Sequence, residues 1–221
     1  MAVLDWLRGR KQTPAPVLKA FNAAPRPHAK TAPSDCPLLV LDIETTGLDP
    51  HKDYMVSIGW LPVRERRIVV AEARHHLLQC PISVGQSATV HGVLDRDLVG
   101  SEETASVLQE LLSIYAGYIF AAHHARLDKA FLQAAIQSCL GGKAVMPFID
   151  TMAIERHRLQ RQGLEVTQES LRLDNCLRRY GLDNPVAQHH ALEDAYSCAL
   201  LLLAQTSRTK FTLADLLRQS S

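Results

Sequence analysis

Asp42 and Glu44 stand one residue apart at the end of an apolar run, Pro37-Leu38-Leu39-Val40-Leu41, that reads as a buried strand. Side chains alternate along a strand, so the two acids point the same way while Ile43 points into packing. Two carboxylates at the end of a core strand repel each other and desolvate badly unless positive charge sits between them. A hard divalent cation with oxygen ligands, Mg²⁺ or Mn²⁺, supplies that charge. A strand end whose acids simply reach water shows the same Asp-x-Glu pattern, so the pair needs support from elsewhere. Two further acidic segments provide it. Ala121-Ala122-His123-His124-Ala125-Arg126-Leu127-Asp128 follows the strand candidate Gly117-Tyr118-Ile119-Phe120, and His189-His190-Ala191-Leu192-Glu193-Asp194-Ala195 opens an apolar helix that ends near Leu203.

The ordered acids Asp42, Glu44, Asp128 and Asp194, with His189 five residues before the last, resemble the motifs of the DEDDh exonucleases. This is the DnaQ-like family that includes the proofreading subunit of bacterial replicative polymerase. The likeness spans roughly residues 37–205, with three motifs in order and each in a matching setting. It implies a ribonuclease H-like α/β fold, with a mixed five-stranded sheet flanked by helices. It also implies a metal-dependent 3′→5′ exonuclease that releases nucleoside monophosphates from nucleic-acid 3′ ends.

The implied cofactor is a pair of Mg²⁺ or Mn²⁺ ions, in general about 3.5–4 Å apart. By the resemblance, Asp42 bridges the ions, Glu44 and Asp194 complete the site that binds the attacking water, and Asp128 supports the second ion. His189 is the implied general base, and imidazole titrates near neutral pH, which suits that task. Backbone donors near Thr45 and an apolar wedge at Leu48 meet the 3′-terminal nucleotide, whereas Thr46 reads as ordinary turn chemistry around Gly47. Val90-His91-Gly92-Val93, Asp150-Thr151 and Leu171-x-Leu-Asp174-x-x-Leu177 resemble further family segments, for which packing and capping are the expected roles. Asp174 reads as mid-helix and stands outside the site.

Two positions depart from the family pattern. The second motif usually reads Asn-x-x-Phe-Asp, and here it is His124-Ala125-Arg126-Leu127-Asp128. His124 can supply a donor in place of the amide, and Leu127 replaces an aromatic beside the substrate, so base stacking there is weaker. These changes bear on affinity and substrate preference. The substrate read here is single-stranded DNA. An RNA-trimming enzyme similar to oligoribonuclease or RNase T, or a non-catalytic nucleic-acid-binding relative, is the alternative, because the 2′-hydroxyl is read by local geometry. Gln205–Phe211 faintly resembles a sliding-clamp-binding peptide, but Arg208 and Lys210 occupy its apolar anchor positions, which leaves polymerase or clamp association open.

A chain of 221 residues with 47% apolar content fits one medium-sized domain plus appendages. Residues 1–36 read as a basic Pro/Ala-rich arm and 37–221 as the exonuclease domain. Within the arm, 4–11 fits a short amphipathic helix and 12–37, rich in proline, an extended linker. Residues 1–35 carry six basic and two acidic side chains, and the rest 18 basic and 21 acidic. A mildly acidic body does not suit extensive duplex binding through phosphate neutralisation, but suits an enzyme that grips a few nucleotides around bound metal. No apolar run is long enough to span a bilayer, and the N-terminus lacks a signal-peptide core. The five cysteines are scattered, with no Cys-x-x-Cys, which predicts reduced thiols in the cytoplasm.

The elements that must position these side chains follow an α/β pattern. Strands are expected at 38–44, 55–63, 67–77, 118–123 and 148–149, the first three as an antiparallel meander. Helices are expected at 104–115, 129–139, 152–160, 170–180 and 191–204, with Gly181 as a C-terminal cap. The histidine pairs 75–76, 123–124 and 189–190 do not make a zinc site, because adjacent residues rarely face one ion and no thiolate is suitably spaced. Arg156, Arg158, Arg161, Arg172, Arg178 and Arg179 read as a solvated helix face.

Overall fold

The structure, a computed structural model, describes residues 14–182, 189–207 and 210–220. The 4–11 helix candidate and Arg208 lie outside the described residues. In chain order the main elements are α1 (Pro16–Ala23), β1 (Leu38–Thr45), β2 (Met55–Arg64), β3 (Arg67–Ile68), β4 (Arg74–Leu77) and α2 (Ala88–His91). They continue with α3 (Thr104–Ile114), β5 (Ile119–Ala122), α4 (Ala125–Leu140), β6 (Phe148–Asp150), α5 (Thr151–Arg161), α6 (Leu173–Arg179), α7 (Ala191–Ser207) and α8 (Leu213–Gln219).

The strands form one mixed sheet in the order β3-β2-β1-β5-β6, with β4 also on β2. Strand β1 lies antiparallel to β2 and parallel to β5, and β5 lies parallel to β6. The apolar run of β1 is buried on both faces, as its continuous hydrophobicity predicts. Leu39 and Leu41 pack with Trp60 and Phe120 under α1, α3 and α4. Leu38 and Val40 pack with Leu61, Val63 and Ile119 under α5, α7 and α8. Ile43 joins the first of these cores. By alternation, Asp42 and Glu44 therefore face the layer that contains α7.

The sheet has six strands rather than the expected five, because the 67–77 candidate breaks into β3 and β4 around a 3₁₀ turn at Val70–Glu72. Pro62 supplies the reason. Val69 donates to the Pro62 carbonyl at 2.9 Å, but proline has no N–H with which to return the bond, so the ladder stops there. Pairing resumes lower on β2, from Trp60↔Arg74 to Ser57↔Leu77.

The extended linker expected at 12–37 is also corrected. Pro16 opens α1 at a position where its missing N–H costs nothing. Leu18 and Phe21, three residues apart on one face, are fully buried in the core. The expected 170–180 helix divides as well. Arg172 is extended (ψ 149°), so a 3₁₀ turn at Glu169–Leu171 precedes α6, and Gly181 follows it in the left-handed region (φ 72°). Two short helices, α2 and α8, were not foreseen. No described helix is long and apolar enough to cross a membrane.

Candidate active site

Strands β1 and β5 run parallel, so their C-terminal ends lie at the same edge of the sheet. Asp42 and Glu44 close β1 there, and α4, which follows β5, carries Asp128 in its first turn. Helix α7 lies across β1 and β2 and carries Asp194 in its own first turn. The β1–β2 register shifts between Glu44 and Thr45, so the bulge falls where the chain leaves the sheet beside the acids.

The three segments bring their acids together. Carboxylate oxygens of Asp42, Glu44 and Asp194 all lie within 4.8 Å of one another. Asp128 stands outside that group of three. Its carboxyl rests against the Ile43 backbone amide, between Asp42 and Glu44 in the chain. Glu44, Asp128 and Asp194 are 8%, 6% and 7% exposed, so water screens their repulsion poorly. Burial, then the charges of Asp128, Glu44 and Asp194, hold the Asp42 carboxyl well above the usual range. Burial and Asp194 push Glu44 up to about 7 against the opposing pull of His189. Burial, with Asp150 and Glu44 adding to it, pushes Asp128 up to about 8 despite the amide contacts. Glu44 Oε1 is buried with no hydrogen-bond partner among the described residues. Crowded hard oxygens, an orphaned acceptor and raised proton affinities together fit a divalent cation.

His189 stands at the mouth of this cluster with its side chain half exposed, and its Nδ1 donates to Asp194 Oδ2 at 2.9 Å. That hydrogen bond raises the imidazole above its ordinary value, with burial opposing. The backbone of the same residue is tied to the rim segment, since His189 N donates to Val90 O.

The expected substrate-contact residues end β1, occupy the turn after it, and precede α4. Thr45 Oγ1 donates to Gly47 O at 2.6 Å, and Thr46 Oγ1 bonds Asp53 and accepts from Tyr54 N, so both hydroxyls shape the turn. Leu48, on that turn, is 77% exposed, a large apolar side chain left in solvent at the site edge. His124 is exposed and takes a left-handed conformation (φ 69°) immediately before α4. Its N–H donates to Asp150 Oδ1, which also caps α5 through Met152 N and Ala153 N. Asp150 thus fixes the entry of the helix that carries Asp128. Capping was legible from the Asp-Thr pair, but the bond to His124 depends on the parallel β5–β6 pairing and had no local signal. Asp174 lies in the first turn of α6, not mid-helix, where it pairs with Arg178. Arg158 and Arg179 grip the fully buried Glu155 rather than belonging to a solvated face.

Residues 39–202 match the RNase T family model, described as exonuclease. The chain belongs to this exonuclease family. Among curated relatives, the PolC-type DNA polymerase III of Thermotoga petrophila is 31% identical over 166 residues, which is 75% of this chain and 11% of that protein. The Thermotoga maritima counterpart is 31% identical over 170 residues, 76% of this chain and 12% of that protein. The chain thus spans about a ninth of the length of these polymerases. Among solved structures, Exonuclease X in complex with 5′ overhanging duplex DNA superposes with a TM-score of 0.62 at 20% identity, covering 83% of this chain and 99% of that one. A zinc-bound E. coli Exonuclease I–single-stranded DNA complex superposes with a TM-score of 0.65 at 14% identity, covering 79% and 41%. The family match agrees with the motif reading: the exonuclease is a nuclease hydrolase on a ribonuclease H-like fold.

Proposed function

We propose that this exonuclease removes nucleoside monophosphates stepwise from the 3′ end of single-stranded DNA, using two Mg²⁺ or Mn²⁺ ions. The observation that carries the reading is the meeting of Asp42, Glu44 and Asp194 from two separate segments within 4.8 Å, with His189 beside them. Asp42, Glu44 and Asp194 would hold one ion and Asp42 with Asp128 the other. When bound, such ions neutralise charge on the phosphoryl oxygens, acidify the attacking water and stabilise the leaving 3′ oxygen.

The chain's own groups do the rest. With Nδ1 donating to Asp194, the neutral His189 ring keeps Nε2 as its proton acceptor, the form a general base requires. The half-exposed ring beside Asp194 would lie next to a water held by an ion on Asp42, Glu44 and Asp194. The Thr45–Leu48 turn closes one side of the site, and the exposed Leu48 supplies an apolar surface for the terminal base. His124, exposed at the start of the helix that carries Asp128, offers a donor. DNA is favoured over RNA because the PolC-type relatives are DNA polymerases and the structural neighbours were captured with DNA. The five free cysteines suit a reducing compartment, and we place the protein in the cytoplasm.

The test is an assay of end-labelled DNA and RNA oligomers with Mg²⁺, Mn²⁺ or EDTA, with products resolved from each end. Monophosphates released from the 3′ end of DNA, in metal only, are expected. Robust cleavage in excess chelator overturns the metal-dependent reading, and faster RNA cleavage reassigns the substrate.

A further inference from the structure

We propose that Gly59 and His75 are positioning residues, which seat the start of α7 on the sheet and so set His189 and Asp194 opposite Asp42. The purpose of that geometry rests on the exonuclease reading above. The geometry itself comes from strand register. Asp42 pairs with Gly59 across β1 and β2, and Gly59 pairs with His75 across β2 and β4. Paired residues share a sheet face, so the three form one row that faces α7.

Each member of the row meets the helix start differently. A Cβ added to Gly59 would lie 2.3 Å from Leu192 N and 2.5 Å from both the Ala191 carbonyl carbon and Leu192 Cα. Those atoms are backbone, so they move only if the helix moves. Glycine here is what lets the first turn of α7 touch the strand. One place further along the row, the His75 ring lies 4.3 Å from the His190 ring, tilted by 35°. His75 Nε2 and His190 Nδ1 are both buried without a hydrogen-bond partner among the described residues, so the contact is ring packing. Burial, then His190 and His76, push the His75 imidazole down to about 4, which leaves a neutral ring that packs without charge repulsion.

His190 links this packing to the site. It follows His189 in the chain, and its carbonyl accepts from Asp194 N at 2.9 Å. A ring clamped by His75 therefore restrains the proposed base on one side and a proposed metal ligand on the other. The neighbour His76 faces the opposite way, stacked on Trp60 at 4.6 Å and bonded to Glu102, so one histidine of the pair serves the site face and the other the core.

The test compares His75→Ala, His75→Phe and Gly59→Ala with wild type. Turnover of a single-stranded DNA oligomer is measured with Mn²⁺, and Mn²⁺ binding without substrate is measured by calorimetry. His75→Ala should lower kcat by about 10–100-fold with KM within about threefold, as a misplacement near 1 Å does. His75→Phe, which restores a flat ring, should recover most of that loss. At saturating Mn²⁺, where weaker metal binding no longer limits turnover, the same His75→Ala change should cost little in a His189→Ala background, because the remaining loss acts through His189. Gly59→Ala and His75→Ala should each weaken Mn²⁺ binding by about 10-fold, within the range for residues that orient ligands, and His75→Phe should not. Equal His75→Ala losses in both backgrounds, no rescue by phenylalanine, or wild-type Mn²⁺ affinity in Gly59→Ala overturns the positioning role. A wild type that cleaves equally well in chelator overturns the metal-dependent reading instead, and the Mn²⁺ titrations still decide the positioning.

Discussion

The acid cluster should make the metal-free protein less stable as pH rises, and Glu44→Gln should remove part of that penalty. Glu44 is pushed from an ordinary 4.5 to about 7 by burial and Asp194. Between those values the folded state holds a proton that the unfolded chain has lost. The unfolded state thus binds fewer protons, and stability falls with pH through this window. Above pH 7 the penalty is complete. Each pK unit is worth about 1.4 kcal/mol, so a shift of roughly 2.5 units costs on the order of 3 kcal/mol. Glutamine is neutral at every pH and nearly the same size. In EDTA at pH 8.5, Glu44→Gln should be more stable than wild type by up to ~3 kcal/mol, which for a domain of this length is about 6–12 °C in Tm. At pH 4.5 the two should melt together. Comparing variant with wild type at each pH cancels the groups that Glu44 does not touch, and relief of Asp42 and Asp128, which its charge also raises, acts in the same direction. Divalent metal should invert the order, because bound cation favours the charged carboxylates: 10 mM Mg²⁺ or Mn²⁺ should raise the wild-type Tm at pH 8.5 far more than that of Glu44→Gln. The assay is thermal unfolding across pH 4.5–8.5, with and without metal. An EDTA difference that is absent at pH 8.5, or as large at pH 4.5, would refute the argument that these acids repel one another in a poorly screened site.

Asp42→Ala and Asp194→Ala should each nearly eliminate turnover, and EDTA should abolish it reversibly; chelator-resistant cleavage in a kinetic assay contradicts this. His189→Ala should cut kcat by roughly 10²–10⁴-fold, the range for a lost general base. Wild-type activity should fall as pH drops through the His189 pKa, and the variant's pH–rate profile should lack that acidic limb; an unchanged profile reassigns the base. Single-stranded 3′ tails should be degraded faster than blunt duplex, whose end must first fray at a cost of a few kcal/mol; cleavage of circular single strands points to an endonuclease. Glu155→Ala should destabilise by about 3–5 kcal/mol in denaturant unfolding, because the buried Glu155 accepts from Arg158, Arg179 and Tyr180 and its loss strands their donors; a loss under 1 kcal/mol removes this network from the stability account.

The sequence exposed what depends on local pattern. Asp42 and Glu44 share a face because a strand alternates, and the sheet-end placement of Asp128 and Asp194 follows from each acid opening a helix. The sequence concealed what depends on long-range pairing. Pro62 split the third strand by withholding one N–H from a neighbour seven residues on. Helix α1 looked like linker because its prolines flank the helix rather than interrupt it, and its Leu18 and Phe21 find a core only after the sheet exists. Arg158 and Arg179 looked like solvated charge until the fold buried Glu155 between them.

The same distinction explains why the motif acids were visible and their supports were not. Chemistry requires particular residue types, and those types stand out in a string. Support requires only that something fit: a missing Cβ at Gly59, a flat ring at His75, a bond from His124 N–H to the Asp150 carboxylate. None of these is unusual in its own segment. Gly59 sits within an apolar strand where a glycine ordinarily weakens the ladder, and it gains a reason only when Ala191 and Leu192, more than a hundred residues away, arrive against it. The close approach of α7 to β2 at that point brings Asp194 to the acids of β1. The position of the acidic cluster is therefore set as much by a side chain that is absent as by the carboxylates that are present.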